Sequence, residues 1–76
     1  MTYEEYFNLV KKGLDHYLKP YNLTDEQIIE YMHKHEDYIR EEYEDDLDEF
    51  NDGIITINEF REGSVSGVVY TLHLLY

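Results

Sequence analysis

Cysteine and tryptophan are missing from this chain of 76 residues, and proline occurs once. Without cysteine the chain has neither a disulfide framework nor a thiolate zinc site. The longest apolar run, residues 68–76, is too short to cross a bilayer and is interrupted by Thr71 and His73. The first residues are acidic and unlike a secretory signal. These absences predict a soluble, cytoplasmic protein that does not bind membranes.

Positive charge is also scarce. Six Lys and Arg stand against 18 Asp and Glu, which gives a formal net charge of −12. A field of that sign repels nucleic acid and speeds encounter with basic surfaces. The sequence has no basic stripe of the kind that phosphate contacts require. We therefore expect the partner to be a basic protein surface, and we expect no direct binding of nucleic acid.

Catalytic motifs are absent as well. The chain has no cysteine nucleophile, no glycine-rich phosphate loop and no serine in a strand-to-helix elbow. The four histidines are scattered, and His33 and His35 are two residues apart, so they would point to different sides of a helix. The sequence predicts that the protein is not an enzyme.

Apolar residues suffice for one small core. They make up 42% of the chain and include nine tyrosines, whose large rings remove much surface from water. We expect a single domain over residues 1–76.

Two helix starts are marked by capping-box patterns. Thr2 with Glu5, followed by apolar residues at helical spacing, predicts a helix over about 2–19 that ends before Pro20. Thr24 with Gln27 predicts a second helix over about 24–46. The short connection between them favours an antiparallel helical hairpin.

The pattern changes after Gly53. Residues 54–57 are all β-branched, and the even positions of residues 68–76 are all large and apolar, which favours strands. A helical interpretation of this segment is also open, through Val65, Val68, Val69, Leu72 and Tyr76. The β-branched content and Gly67 favour the strand. The predicted fold class is α+β, an antiparallel two-helix hairpin followed by a C-terminal β-hairpin over about 53–76.

Residues 41–52, EEYEDDLDEFND, hold eight carboxylates and no Lys, Arg or His. If the second helix continues through them, Glu41, Asp45 and Glu49 form one acidic row, and Glu42 and Asp46 form a second. Like charges at this spacing destabilise a helix, which favours a role in binding. The candidate partner-binding residues are Glu36, Asp37, Glu41, Glu42, Glu44, Asp45, Asp46, Asp48, Glu49 and Asp52.

In its size, its charge and this acidic run, the chain resembles the small DNA-mimic inhibitors that phages and mobile elements encode, including anti-CRISPR and anti-restriction proteins. The resemblance implies that the carboxylates occupy the Lys/Arg groove of a host nuclease in the host cytoplasm, where nucleic acid would bind. Tyr38, Tyr43 and Phe50 would then serve as apolar anchors. We expect a monomer or a homodimer without a cofactor.

A calcium site is the main alternative. DEFNDGIITINEF, from Asp48, resembles the calcium loop of EF-hand proteins, in which oxygen ligands occupy fixed positions and glycine stands sixth. Two departures count against it: Phe50 stands where an oxygen ligand is required, and glycines weaken the exit helix. The ligands would be Asp48, Asp52, the carbonyl of Ile54, Thr56 and Glu59.

Two further interpretations stay open. Acidic runs commonly form solvated surfaces that keep a small protein soluble. Alternatively, the apolar C-terminal strand, if it lies at a sheet edge, would let the protein associate with itself.

Overall fold

The computed structural model describes all 76 residues, which form four α-helices and no strand. A 3-10 turn, Lys19–Tyr21, connects the first two helices, and a π-helical segment, Glu59–Ser64, continues directly into the last. None of the helices has the length and apolar composition needed to cross a membrane. The helices are α1 (Tyr3–Tyr17), α2 (Asp25–Lys34), α3 (Glu36–Asn51) and α4 (Val65–Leu75).

The predicted α+β class is wrong, because the segment expected to form a β-hairpin over about 53–76 is mostly helical. A strand would have buried the even positions, yet Tyr70 is 57% exposed and Leu74 is 65% exposed. The buried positions are instead those of one helical face: Val65, Val68, Val69 and Leu72. Packing of that face decides the structure over the strand propensity of the individual residues.

Both capping boxes expected from the sequence form. The Thr2 hydroxyl accepts a hydrogen bond from the Glu5 backbone N–H at 3.1 Å, and the Glu5 carboxylate accepts one from the Thr2 backbone N–H at 3.3 Å. Thr24 and Gln27 make the same exchange at 3.1 and 2.8 Å. These bonds satisfy backbone N–H groups that have no partner inside the helix.

The single helix expected over about 24–46 is two helices, because the chain leaves helical geometry at His35 (φ −114°, ψ 21°). Neither proline nor glycine stands at the break. The His35 N–H bonds to the Met32 carbonyl at 3.0 Å, a tighter turn than that of an α-helix. Helices α2 and α3 both deliver buried residues to one core, Met32 from α2 and Ile39 from α3.

Helices α1 and α4 form the closest contact of the fold. A Cβ atom at Gly13 of α1 would lie 2.6 Å from Cγ2 of Val69 on α4, which is shorter than any tolerable contact. Only glycine therefore permits this approach. Around this seam lie the other fully buried side chains of α1, namely Tyr6, Val10 and Leu14.

An aromatic cluster fixes α3 to the rest of the core. The Phe60 ring, from the π-helical segment, lies 5.8 Å from both the Tyr6 and Tyr43 rings, measured between centroids. Tyr6 and Tyr43 are themselves 5.2 Å apart. Tyr43 also donates a hydrogen bond from its hydroxyl to the Met1 carbonyl at 2.6 Å. Because these rings hold one side of α3 in place, the other side faces solvent.

Candidate protein-binding surface on helix α3

The acidic run is helical over nearly its whole length. Helix α3 continues to Asn51, and the Asp52 N–H still bonds to the Asp48 carbonyl at 2.9 Å. Residues four apart on a helix are separated by a rise of about 6 Å. Both predicted acidic rows therefore exist as rows on one helix.

The carboxylates of α3 divide into two groups by exposure. Glu36, Glu42 and Asp46 are half-buried. The others are exposed and lie away from the side that Ile39 and Tyr43 bury in the core. We call this exposed set the acidic face; it comprises Asp37, Glu41, Glu44, Asp45, Asp48, Glu49 and Asp52.

No carboxylate of the acidic face forms an ion pair. The ion pairs of the molecule join Lys11 to Asp15 and Asp25, and Glu36 to His33 and Arg40. Glu36, a predicted partner-binding residue, is thus occupied by two basic groups at 3.1 and 3.8 Å. The acidic face keeps its full negative charge towards solvent.

Asp46 faces the protein. Its carboxylate accepts a hydrogen bond from the Ser64 hydroxyl, whose oxygen lies 2.7 Å from the Tyr6 hydroxyl. Burial raises the pKa of Tyr6 to about 12, and the charges of Asp46 and Glu42 add to this effect, while the bond to Ser64 opposes it. Asp46 thus links α3 to α1 and to the π-helical segment. Tyr6 and Ser64 are 58 residues apart, and the sequence offers no local signal for their contact.

The pKa of Glu42 reflects the repulsion between the carboxylates of α3. Its partial burial raises the pKa of its carboxyl group, and the neighbouring charges of Asp46, Asp45 and Glu41 raise it further, in that order. A raised pKa means that the ionised form is less favourable in the folded protein than in the unfolded chain. Ionised Glu42 therefore destabilises the fold.

The aromatic residues expected to anchor a partner serve the core instead. Tyr43 is 8% exposed, and the Phe50 ring packs on Phe60 with centroids 5.9 Å apart. Tyr38 is half-buried against the same core. Because these side chains face inwards, a partner that docks on the acidic face meets carboxylates almost alone.

The first part of the proposed calcium loop, residues 48–54, forms the end of helix α3. Gly53 has a positive φ of 76°, its N–H bonds to the Phe50 carbonyl at 3.1 Å, and the Ile54 N–H bonds to the Glu49 carbonyl at 2.8 Å. This pair of bonds is the Schellman motif that closes a helix. Asp48 belongs to the last turn of α3, and Ile54 is 67% exposed.

Thr56 and Glu59 form a third capping box. The Thr56 hydroxyl accepts from the Glu59 N–H at 3.1 Å, and the Glu59 carboxylate accepts from the Thr56 N–H at 2.9 Å. The same four-residue pattern marks α1 and α2, but in the sequence these two residues are considered only as ligands of the alternative calcium site. No group of three or more His, Cys, Asp or Glu is placed to hold a metal ion. The calcium site stays a prediction, testable by calcium titration of the Gly53 amide.

One shallow depression, of about 200 Å³, lies away from the acidic face. Phe7 and His33 stack in it with ring centroids 5.4 Å apart, and Tyr3, Glu4 and Glu36 complete its lining. The Arg40 guanidinium lies 4.0 Å from the centroid of the Tyr3 ring. Arg40, the sole cation of α3, therefore lies over the Tyr3 ring near the N-terminal end of the helix and forms no ion pair with the acidic face.

Comparison with protein-family models, with curated proteins and with solved structures gave no match.

Proposed function

We propose that the protein binds a basic surface of another protein through the acidic face, as a phage-type inhibitor that blocks the nucleic-acid site of a host nuclease or effector in the host cytoplasm. The observation that carries this proposal is the set of seven exposed carboxylates, none of them ion-paired, on one rigid helix. The proposed activity is binding, without a chemical step.

The density of charge along α3 supports mimicry of a nucleic acid. Between Asp37 and Asp52 the helix rises about 22 Å and carries seven exposed carboxylates, roughly one per 3 Å. Duplex DNA carries one charge per about 1.7 Å and each of its strands one per about 3.4 Å. The spacing on α3 lies between these two values. A groove lined by Lys and Arg at the spacing of phosphates would meet a comparable field.

The array is also unfavourable for folding, which supports a role outside the fold. Like charges four apart on a helix each cost a few tenths of a kcal/mol. Asp48 and Glu49 add to this cost because they lie in the last turn of α3, where the helix dipole favours cations. That turn contains no basic residue. A partner that supplies the missing cations would relieve both effects.

Inhibition of DNA cleavage tests the proposal directly. The probes are a guide-loaded CRISPR nuclease and a restriction endonuclease, each assayed on plasmid DNA across a range of salt. Charges of this exposed kind set the association rate and the register of a complex, and salt screens them. We expect inhibition of at least one probe that weakens steeply as salt rises.

Matched charge reversals supply the control. The triple variant Glu41→Lys, Asp45→Lys, Asp48→Lys should lose inhibition, whereas Glu26→Lys, Glu30→Lys, Glu62→Lys changes net charge equally at exposed positions elsewhere and should retain it. Far-UV circular dichroism checks that both variants fold. The proposal is wrong if neither probe is inhibited and proteins captured from a bacterial lysate stay bound when duplex DNA is added. Equal loss in the two variants would also refute it, since net charge alone would then explain binding.

A further inference from the structure

The outward side of α4 is the second unusual surface of the molecule. Residues 63–76 contain no Asp, Glu, Lys or Arg, although 32% of the whole chain is charged. One side of this stretch packs in the core and the other is exposed. We call the exposed side the neutral face; it comprises Gly63, Ser66, Gly67, Tyr70 and Leu74.

The neutral face is large and apolar for a chain of this size. Tyr70 is 57% exposed and Leu74 is 65% exposed, and the adjoining Leu75 is 61% exposed. Tyr17 of α1 borders it, with its ring 5.2 Å from that of His73. A half-exposed tyrosine leaves about 100 Å² open, so these three side chains expose roughly 300 Å², within the range of the largest patches on typical monomers.

Two glycines leave space on this face for another backbone. A Cβ atom added at Gly63 or Gly67 would meet nothing within 4 Å, so both sites are open. Neither glycine has the positive φ that would require one. The two positions are one helical turn apart, next to Tyr70 and Leu74. A second helix could therefore approach here more closely than at a surface of larger side chains.

We propose that a second copy of this chain covers the neutral face, so that α4 packs against α4 about a two-fold axis. Charge selects this occupant. Each copy carries a formal net charge of −12, so two copies approach without close repulsion only where carboxylates are absent. A basic partner finds no carboxylate to pair with here. In an antiparallel arrangement, the glycines of one helix receive Tyr70 and Leu74 of the other, as a self-complementary interface requires.

The available area sets the strength of this dimer. With the glycine backbone, Ser66 and Thr71 included, each copy would bury roughly 600 Å², at the lower end of specific interfaces. We expect a dissociation constant in the micromolar-to-millimolar range. The dimer goes beyond the proposed function and leaves both acidic faces on its outside.

Sedimentation equilibrium, from low micromolar to millimolar protein and at low and high salt, tests the dimer. We expect dimer to increase with protein concentration and with salt, because salt screens the repulsion between copies. This dependence is opposite to that expected for a complex with a basic protein. The Lys triple variant of the acidic face should still dimerise, so failure of one proposal is distinguishable from failure of the other.

A charge placed in the neutral face should abolish the dimer. Leu74→Glu should raise the dissociation constant by about tenfold or more, while Ile54→Glu adds the same charge at a site that is 67% exposed between α3 and α4, and should change little. A monomer at every concentration overturns the proposal, and so does a dimer that Leu74→Glu leaves intact or that both Glu variants weaken equally.

Discussion

Helices α3 and α4 are neighbours in sequence, yet they divide the tasks of the molecule between them. Helix α3 has nine carboxylates in 16 residues and buries two side chains, Ile39 and Tyr43. Helix α4 has no Asp, Glu, Lys or Arg in 11 residues and buries four. The helix that contributes most to the core is the one without charge, and the helix that contributes less carries the charge.

This division shows how a small domain tolerates an unfavourable surface. Repulsion between like charges one turn apart on α3 adds up to about 1–3 kcal/mol. Against it stand the aromatic contacts of Tyr43 and Phe60 and the bridge from Asp46 to Ser64. Helices α1 and α4 together bury seven of the 13 core side chains, so the outer side of α3 is not needed for the core.

The sharpest division lies within α4, between Leu72 and Leu74. Leu72 is fully buried, and Leu72→Ala should lower the free energy of unfolding by about 2–5 kcal/mol through lost burial and a cavity. Leu74 is 65% exposed, and Leu74→Ala should change the free energy of unfolding by less than about 0.5 kcal/mol at low protein concentration. Urea unfolding followed by circular dichroism measures both. If both variants lose similar amounts of unfolding free energy, α4 does not have one buried and one exposed side.

The same glycine substitution should act with opposite signs in the α1–α4 seam and on the neutral face. At Gly13 the new Cβ would meet Cγ2 of Val69 at 2.6 Å, and overpacking of a core costs about 1–3 kcal/mol. Even after the gain of about 0.5–1 kcal/mol from replacing a helical glycine, Gly13→Ala should destabilise. At Gly67 the new Cβ would meet nothing within 4 Å, so Gly67→Ala should stabilise the protein by that gain alone. Thermal unfolding compares the two, and a stabilised Gly13→Ala variant would contradict the close packing of α1 on α4.

The contact between Tyr6 of α1 and Ser64, in the segment before α4, can be isolated by a double-mutant cycle. Ser64→Ala leaves the hydroxyl of the buried Tyr6 without its partner and should cost about 1 kcal/mol. In a Tyr6→Phe background the same substitution should cost less, since no hydroxyl remains to be stranded. Urea unfolding of the four proteins gives the coupling energy. Equal costs in both backgrounds would mean that the contact with Tyr6 contributes nothing.

The sequence predicted what is encoded locally. The starts of α1 and α2 are set by capping boxes within four residues, and both boxes form. The third box, Thr56 with Glu59, carries the same information and would have predicted the last helix. In the sequence its two residues are considered only as ligands of the alternative calcium loop, because Asp52 and Gly53 also fit one.

The sequence failed where two patterns share the same residues. Val68, Leu72 and Tyr76 are even-numbered and also four apart, so they satisfy a strand and a helix equally. Tyr70 and Leu74 completed the apparent alternation, although they lie on the neutral face. Seven of the ten candidate residues lie on the acidic face, and the other three are half-buried. Of these three, Glu36 and Asp46 make contacts that only folding creates.

The smallest expected effect concerns the cost of charge on α3. Because burial and neighbouring carboxylates raise the pKa of Glu42 in the folded protein, its ionisation lowers stability above its ordinary pKa of 4.5, and protonation restores that stability as the pH falls. Glu42→Gln should therefore raise the free energy of unfolding at neutral pH by a few tenths of a kcal/mol, or the melting temperature by about 1–3 °C.

The gain from Glu42→Gln should shrink as the pH falls and vanish once Glu42 is protonated in both the folded and the unfolded chain. Glu44→Gln is the matched control. Glu44 is exposed, with Arg40 four residues before it and the like charges of Glu41 and Asp48 three before and four after, so loss of its charge removes one attraction as well as two repulsions. Melting curves of both variants across acidic and neutral pH make the comparison. If Glu42→Gln still stabilises the protein at low pH, that gain comes from packing. The experiment would then give no support for repulsion between Glu42 and the neighbouring carboxylates.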